Sequence, residues 1–380
     1  MPGVEPATHL QVSRCVLAVG SGRNSHAIRG HLLTRFEIDK GYLKRVLVDL
    51  LNTPSPSGDT EWAISFVQNE LEAMGVASRR TIKGALLATL GGMSSSSPRG
   101  LTAHVDTLGA MVSRIKPTGR LAVTNIGGLM WPTVDSEGVT VSTRGGRHFR
   151  GSIVFANGAA HVNKNAPTAA RDATNLEIRL DERTSSAEET RQLGIDVGDY
   201  VYVDPRVEAS ESGFIRSRFL DDKACVACLL AATKALKDGD HTPAQTTTLL
   251  ISNFEEVGHG GADSLPDDLH EMLVLDMACI GEGLQGDEYH CSICIKDSSG
   301  PYSKELTDKL RGIADKRGID IKTDIYPYYG SDGSVYWRAG GKAQVALIGP
   351  GVDTSHGYER THMEALYDTA SLVAEYLVED

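Results

Sequence analysis

With 380 residues, 41% apolar and 23% charged, the chain has the size and composition of a globular protein of two domains, since single cores stop growing at roughly 250–300 residues. No apolar run approaches the ~20 residues that span a bilayer, so a helical membrane protein is excluded. A formal charge of −12 lacks the concentrated basic surface that a phosphate backbone requires, which excludes nucleic acid as a partner and suits the holding of cations.

The first 36 residues differ from the rest. Arg14, Arg23, Arg29 and Arg35 against Glu5 give them +3 and leave −15 for the remainder. They lack a periodic apolar face, and Cys15–Val19 is too short for a secretory core, so residues 1–36 are expected to be a disordered or leader-like tail. Regular structure is expected from Asp39, where Leu43, Val46, Leu47, Leu50 and Leu51 recur at helical spacing up to the breaker TPSPSG. A second amphipathic helix is expected from about Asp59 to Met74, then a serine-rich turn (SSSSP) and a buried strand in RGLTAHVDTLGAMV that delivers His104 and Asp106. From about Lys116 to Arg206, short β-like pieces and glycine turns replace long apolar helices, which marks an inserted β-rich domain. The α/β alternation then resumes: a helix after Asp222, the strands TTTLLISNF and MLVLDMA, a helix near Ser303–Lys316, the strand QVALIG and a closing helix from Met363.

The C-x-x-C pairs Cys225/Cys228 and Cys291/Cys294 are expected to pack and not to bind zinc. The first lies in an alanine- and leucine-rich helix, and the second alternates like a strand, so its two thiols face opposite sides. Free thiols fit a reducing cytoplasm.

The residues suited to chemistry are His and carboxylates, the donors that divalent zinc, cobalt or manganese prefer. His104 and Asp106 stand two apart on a strand and share a face, which would let Asp106 fix the tautomer of a metal-bound His104. Asp221 and Asp222 precede a helix, where a cap is the ordinary reading. Glu255 and Glu256 follow an apolar strand and precede a glycine-rich turn, a costly pairing unless cations compensate it. Asp276 interrupts an apolar strand, and His362 opens the closing helix. All five groups fall where strands or loops end on an α/β scaffold, which is where such folds place their sites.

H-x-D, D-D-K, E-E-V-G, a strand Asp and a late T-H, in this order, resemble the co-catalytic metallopeptidases of family 42, the tetrahedral and glutamyl aminopeptidases. The resemblance runs from about Asp39 to the C-terminus. It implies a mixed-sheet α/β catalytic domain with helices on both faces, built from residues 37–115 and 207–380, with residues 116–206 as an inserted oligomerisation domain. It also implies two divalent ions per chain, zinc first with cobalt or manganese as alternatives. Asp221 would bridge them, with His104 and Asp276 completing one site and Glu256 and His362 the other. Glu255 would be the general base, Asp106 would support His104, and a cis peptide would join Asp221 to Asp222. The chain departs from the family in having Lys223 after the Asp pair and His259 after E-E-V-G. In GVDTSHGYERTH, His356 rivals His362, and spacing to the closing helix selects His362. The segments HVDTLGAMV and SHGYERTH further resemble a subgroup associated with the osmoprotectant N-acetylglutaminylglutamine amide, which would make His356, Tyr358 and Arg360 substrate donors.

The expected reaction is hydrolysis of an amide at the end of a peptide by a metal-bridged hydroxide, with Glu255 moving the proton. The chain has no G-x-S-x-G elbow and no P-loop pattern. The rivals are an amidase or deacylase acting on a small modified dipeptide, and a non-catalytic metal-binding scaffold. Glu255 argues against the scaffold, and a glycosidase leaves the histidines without a role. The expected partners are a small peptide or amide and further copies of the chain, from dimer to dodecamer.

Overall fold

The computed structural model describes residues 35–262 and 264–380, so the expected tail lies almost wholly outside the described residues. Its last two residues are packed, contrary to expectation: Arg35 pairs with Asp368 at 2.9 Å, and Phe36 N donates to Glu375 Oε1 at 2.8 Å.

Asp39 caps α1 (Lys40–Leu51), whose buried face is Leu43, Val46, Leu47, Leu50 and Leu51, and α2 (Glu61–Ala73) buries Ala63, Ile64, Val67 and Leu71. Strands β1 (Ser78–Arg80), β2 (Leu86–Leu90) and β3 (Ser94–His104) follow. The serine run expected as a turn therefore belongs to β3. It is held extended by bonds from Ser97 N to Gln245 Oε1 at 3.1 Å and between Ser95 Oγ and Thr246 Oγ1 at 2.8 Å.

The inserted unit is a closed barrel. Its strands are β4 (Gly109–Ile115), β5 (Leu121–Ile126), β6 (Gly138–Ser142), β7 (His148–Phe155), β8 (Leu176–Leu180) and β9 (Tyr200–Val203), in the order β4-β5-β8-β7-β6-β9, with α3 (Ala187–Gln192) between β8 and β9. Alternate positions such as Val139, Val141, Ile153, Ile178 and Val201 fill its interior. The barrel opens at Gly109, before the expected boundary at Lys116. The segment HVDTLGAMV reads as part of one strand, but the chain leaves the main sheet after His104 and crosses Pro56. A Cβ on Gly109 would stand 2.7 Å from Pro56 Cβ, so only glycine fits this crossing.

The chain returns through β10 (Glu208–Ala209) and β11 (Phe214–Ser217) to α4 (Leu220–Asp238), β12 (Gln245–Ser252), β13 (Glu271–Leu275), β14 (Ala278–Cys279), β15 (Cys291–Asp297), β16 (Gly300–Pro301), α5 (Lys304–Arg317) and β17 (Ile321–Ile325). It closes with α6 (Asp332–Arg338), β18 (Gln344–Val352), β19 (Glu359–His362) and α7 (Met363–Val378). The large sheet has the order β1-β2-β12-β3-β13-β18-β15-β16, with β14 on β18 and β17 on β15, and β12, β3, β13 and β18 run parallel at its centre. Leu273, Leu275, Ala346 and Ile348 face α1, α2, α4, α5 and α7. Met272, Val274, Val345 and Leu347 face the short α6 side. Both faces are thus covered, as buried parallel strands require. Cys225, Cys228, Cys291 and Cys294 are free thiols within these cores. No described helix is long and apolar enough to cross a membrane.

Candidate metal centre

Because β3, β12, β13 and β18 are parallel, their carboxyl ends lie along one edge of the sheet, and the loops leaving them converge there. β3 ends on His104, β12 leads to Glu255 and Glu256 in a short 3-10 turn, β13 leads to Asp276, and β18 leads to the hairpin carrying Ser355 and His356. Asp221 arrives from the start of α4 through the cis peptide to Asp222. Two groups of ligand atoms result, His104 with Asp221 and Asp276, and Asp221 with Glu256 and His356, each group lying within 4.8 Å. Asp221 belongs to both. Its Oδ1 is 3.2 Å from His104 Nε2, and its Oδ2 is 3.7 Å from His356 Nε2. The two rings are oriented alike: His104 Nδ1 lies 3.0 Å from Asp106 O and His356 Nδ1 lies 3.3 Å from Gly128 O, which turns each Nε2 toward the carboxylates.

The histidine of the second group is His356 and not His362. His362 caps α7, its Nδ1 accepting from Glu364 N at 3.2 Å and its Nε2 facing Ser212 O at 2.9 Å, and its ring packs against Phe214 and Tyr289. Both nitrogens are occupied, so the histidine that spacing to the closing helix selects as a ligand is in the structure the cap of that helix. Tyr358 and Arg360, expected as substrate donors, are placed outside the cluster. The Tyr358 hydroxyl donates to Arg206 O at 2.9 Å, while Arg360 pairs with Glu288, and neither lines the cleft.

Asp106 supports more than His104. Its carboxylate accepts from Ser57 Oγ at 2.5 Å, Glu255 N at 3.1 Å and Glu256 N at 3.2 Å, so it aims the paired glutamates, while its backbone carbonyl meets the His104 ring. Glu255 stands apart from both ligand groups, with Oε2 3.7 Å from His104 Nε2. The cleft over these residues has a volume of about 460 Å³, and Met130, Met277, Cys279, Tyr328, Tyr329 and Arg338 line it. Met130 and Gly128 come from the barrel, so the insert shapes the entrance while supplying none of the grouped side chains.

The donor set fits divalent cations. His104 Nε2 and Glu256 Oε1 are buried without a hydrogen-bond partner and face the cluster. Burial, and then neighbouring carboxylates, push the Glu255, Glu256 and Asp276 carboxyls well above their ordinary range. Asp221 is held low despite its burial by the His104 ring beside it, and against the effect of burial the neighbouring Asp106 and Asp221 carboxylates lift the His104 ring well above its ordinary value. These upward shifts favour proton uptake at the cluster in the absence of cations. A carboxyl raised on folding destabilises the folded state as pH rises past its ordinary range, and a raised histidine loses its contribution in the same direction. These groups outnumber Asp221, which acts oppositely, and bound cations remove the penalty. Chelation is thus expected to lower Tm more at about pH 8 than at about pH 5. Calorimetry of the chelated and metal-loaded protein at both pH values checks this, and equal shifts would contradict it.

Reading the sequence missed Glu359, Asp332, Ser57 and Ser355. Asp332 accepts from Ser252 Oγ at 2.5 Å and Thr102 Oγ1 at 3.1 Å behind the glutamate turn, and Ser355 Oγ donates to Asp221 Oδ2 at 3.1 Å. Only the acid in S-D-G-S and the one in G-Y-E-R offered a signal, and both resemble ordinary loop acids.

A sequence profile of the M42 glutamyl aminopeptidases matches residues 84–372. YhfE of Bacillus subtilis (strain 168), a candidate aminopeptidase by name, is 46% identical over 332 residues, which cover 87% of this chain and 96% of that protein. Among solved structures, the aminopeptidase APDkam598 from the archaeon Desulfurococcus kamchatkensis has a TM-score of 0.80 at 23% identity, covering 90% of this chain and 96% of its own. The Pyrococcus horikoshii TET1 peptidase, which can assemble into a tetrahedron or a large octahedral shell, has a TM-score of 0.78 at 21% identity, covering 89% of this chain and 100% of its own. The two structures share the fold. Profile and close relative together place the chain in the M42 glutamyl aminopeptidase family of peptide-bond hydrolases.

Proposed function

We propose that the protein removes the N-terminal residue of small peptides by a two-ion hydrolysis. Asp221 would be shared between the ions, with His104 and Asp276 on one and Glu256 and His356 on the other. The observation that carries this reading is the division of the Asp221 carboxylate, whose two oxygens face two different histidines. Imidazole and carboxylate donors suit zinc, with cobalt or manganese as substitutes. When bound, such ions lower the pKa of water and polarise the scissile carbonyl. Glu255 takes the proton from the attacking water and returns it to the departing amine, and Asp106 keeps it aimed by holding the Glu255 and Glu256 amides.

The barrel is suited to joining copies of the chain into a homo-oligomer, and the TET1 assemblies support that reading. Free cysteines among the described residues fit a cytoplasmic location. Metal analysis combined with kcat/KM on aminoacyl amides and on acylated dipeptide amides, including N-acetylglutaminylglutamine amide, tests the proposal. Two ions per chain and a preference for a free α-amino group are expected. Preference for the acylated compounds would make the protein an amidase, and two ions with no turnover of either class would make it a scaffold.

A further inference from the structure

The hairpin that presents His356 is short and irregular. Asp353 and Arg360 close it by mutual backbone bonds of 2.8 and 3.2 Å, and Thr354 and His356 inside it adopt left-handed φ of 61° and 64°. Such angles are uncommon outside glycine, and for the β-branched Thr354 they are unfavourable, so the loop must be held from elsewhere. Glu359 turns its side chain back beneath this hairpin and is 2% exposed. One of its oxygens, Oε1, accepts from His356 N at 3.1 Å, and the other, Oε2, accepts from Asp221 N at 3.2 Å. A single carboxylate thus ties the hairpin to Asp221, which precedes Glu359 by 138 residues, and these two segments carry two of the three ligands of the second group. Strand β19 anchors its far side, pairing Glu359 with Ser217 on β11.

We infer that Glu359 is a positioning residue for the second metal site, acting through the backbones of Asp221 and His356. The inference rests on the two-ion reading above. A carboxylate has two acceptor oxygens and no donor, which matches two converging N–H groups. Glutamine offers one acceptor and would turn its NH₂ toward the other N–H, and aspartate is one methylene too short to span both. His104 and Asp276 sit at the ends of β3 and β13, where Glu359 makes no bond, so the first site keeps two of its ligands whatever happens to the hairpin. The consequence is unequal: loss of Glu359 loosens the second ion more than the first.

The test is a Co²⁺ titration of the metal-free full-length protein, followed by visible absorption and calorimetry, on wild type, Glu359→Gln and Glu359→Asp. Metal-free Tm and circular dichroism identify the folded variants. Wild type is expected to take up two ions in steps. Both variants are expected to bind the first ion nearly as wild type does and the second about 10–100-fold more weakly, the usual loss when a group supporting a ligand is removed. A folded variant with the wild-type ratio of the two affinities overturns the inference, and so does equal weakening of both ions, which would make Glu359 merely structural. If the glutamine variant does not fold, the aspartate variant decides by the same ratio. If wild type itself fails to bind two ions, the two-ion reading falls, an outcome distinct from unchanged variants beside a two-ion wild type.

Discussion

Glu255→Gln is expected to reduce kcat by about 10²–10⁴-fold while the protein keeps two ions per chain and a near-normal KM, because the change removes a proton acceptor and keeps the shape of the side chain. The geometry supports this separation of roles. Glu255 stands in the cleft outside both ligand groups, while its neighbour Glu256 belongs to one of them. The two diverge because Asp106 holds both of their amides in a tight turn after β12. Burial raises the Glu255 carboxyl well above its ordinary range, the direction a group needs if it is to carry a proton between water and amine near neutrality. Single-turnover kinetics and metal analysis on one preparation check the expectation. Normal kcat would remove Glu255 from the mechanism, and loss of an ion would make it a ligand.

The second expectation concerns the ligands and is graded. Asp221→Ala should lose both ions and all measurable turnover, since it removes the one carboxylate common to both groups and leaves two protein ligands at each site. His356→Ala should lose one ion. His362→Ala should keep both and should cost about 1 kcal/mol of stability, because that ring caps α7 and packs against Phe214 and Tyr289. Metal content after dialysis, read with Tm, separates the three. One ion retained at full affinity in Asp221→Ala would end its shared role, and a loss of metal in His362→Ala with none in His356→Ala would reverse the choice of histidine.

That reversal between sequence and structure shows where reading the chain stops. His104, Glu255, Glu256 and Asp276 stand out in the sequence because each is a charged or ring-bearing group at or just past the end of a strongly apolar segment, and Asp221 because it is one of two adjacent acids before a helix. Periodicity alone locates those ends, and parallel strands bring them to one edge. The helices from Lys40 and Met363 are legible for the same reason: leucine, valine and alanine recur at 3.6-residue spacing whatever the tertiary context. The serine run in β3 carries no such period. It becomes a strand only because Gln245 and Thr246 are there to bond with it.

The sequence by itself determined the order of α/β elements, the presence of a β-rich insert and the acids available to a cation, since these depend on local pattern and on the cost of leaving charge beside apolar strands. Only the tertiary structure decided which histidine joins them, where the barrel starts and what holds the hairpin. His356 reaches Asp221 through a left-handed loop closed by Asp353 and Arg360 and tied by Glu359 to a residue 138 positions away, while Gly109 crosses Pro56 where the sequence reads as one continuous strand. Contacts of that range have no period along the chain, because their geometry comes from the pairing of β19 with β11 and the packing of barrel against sheet.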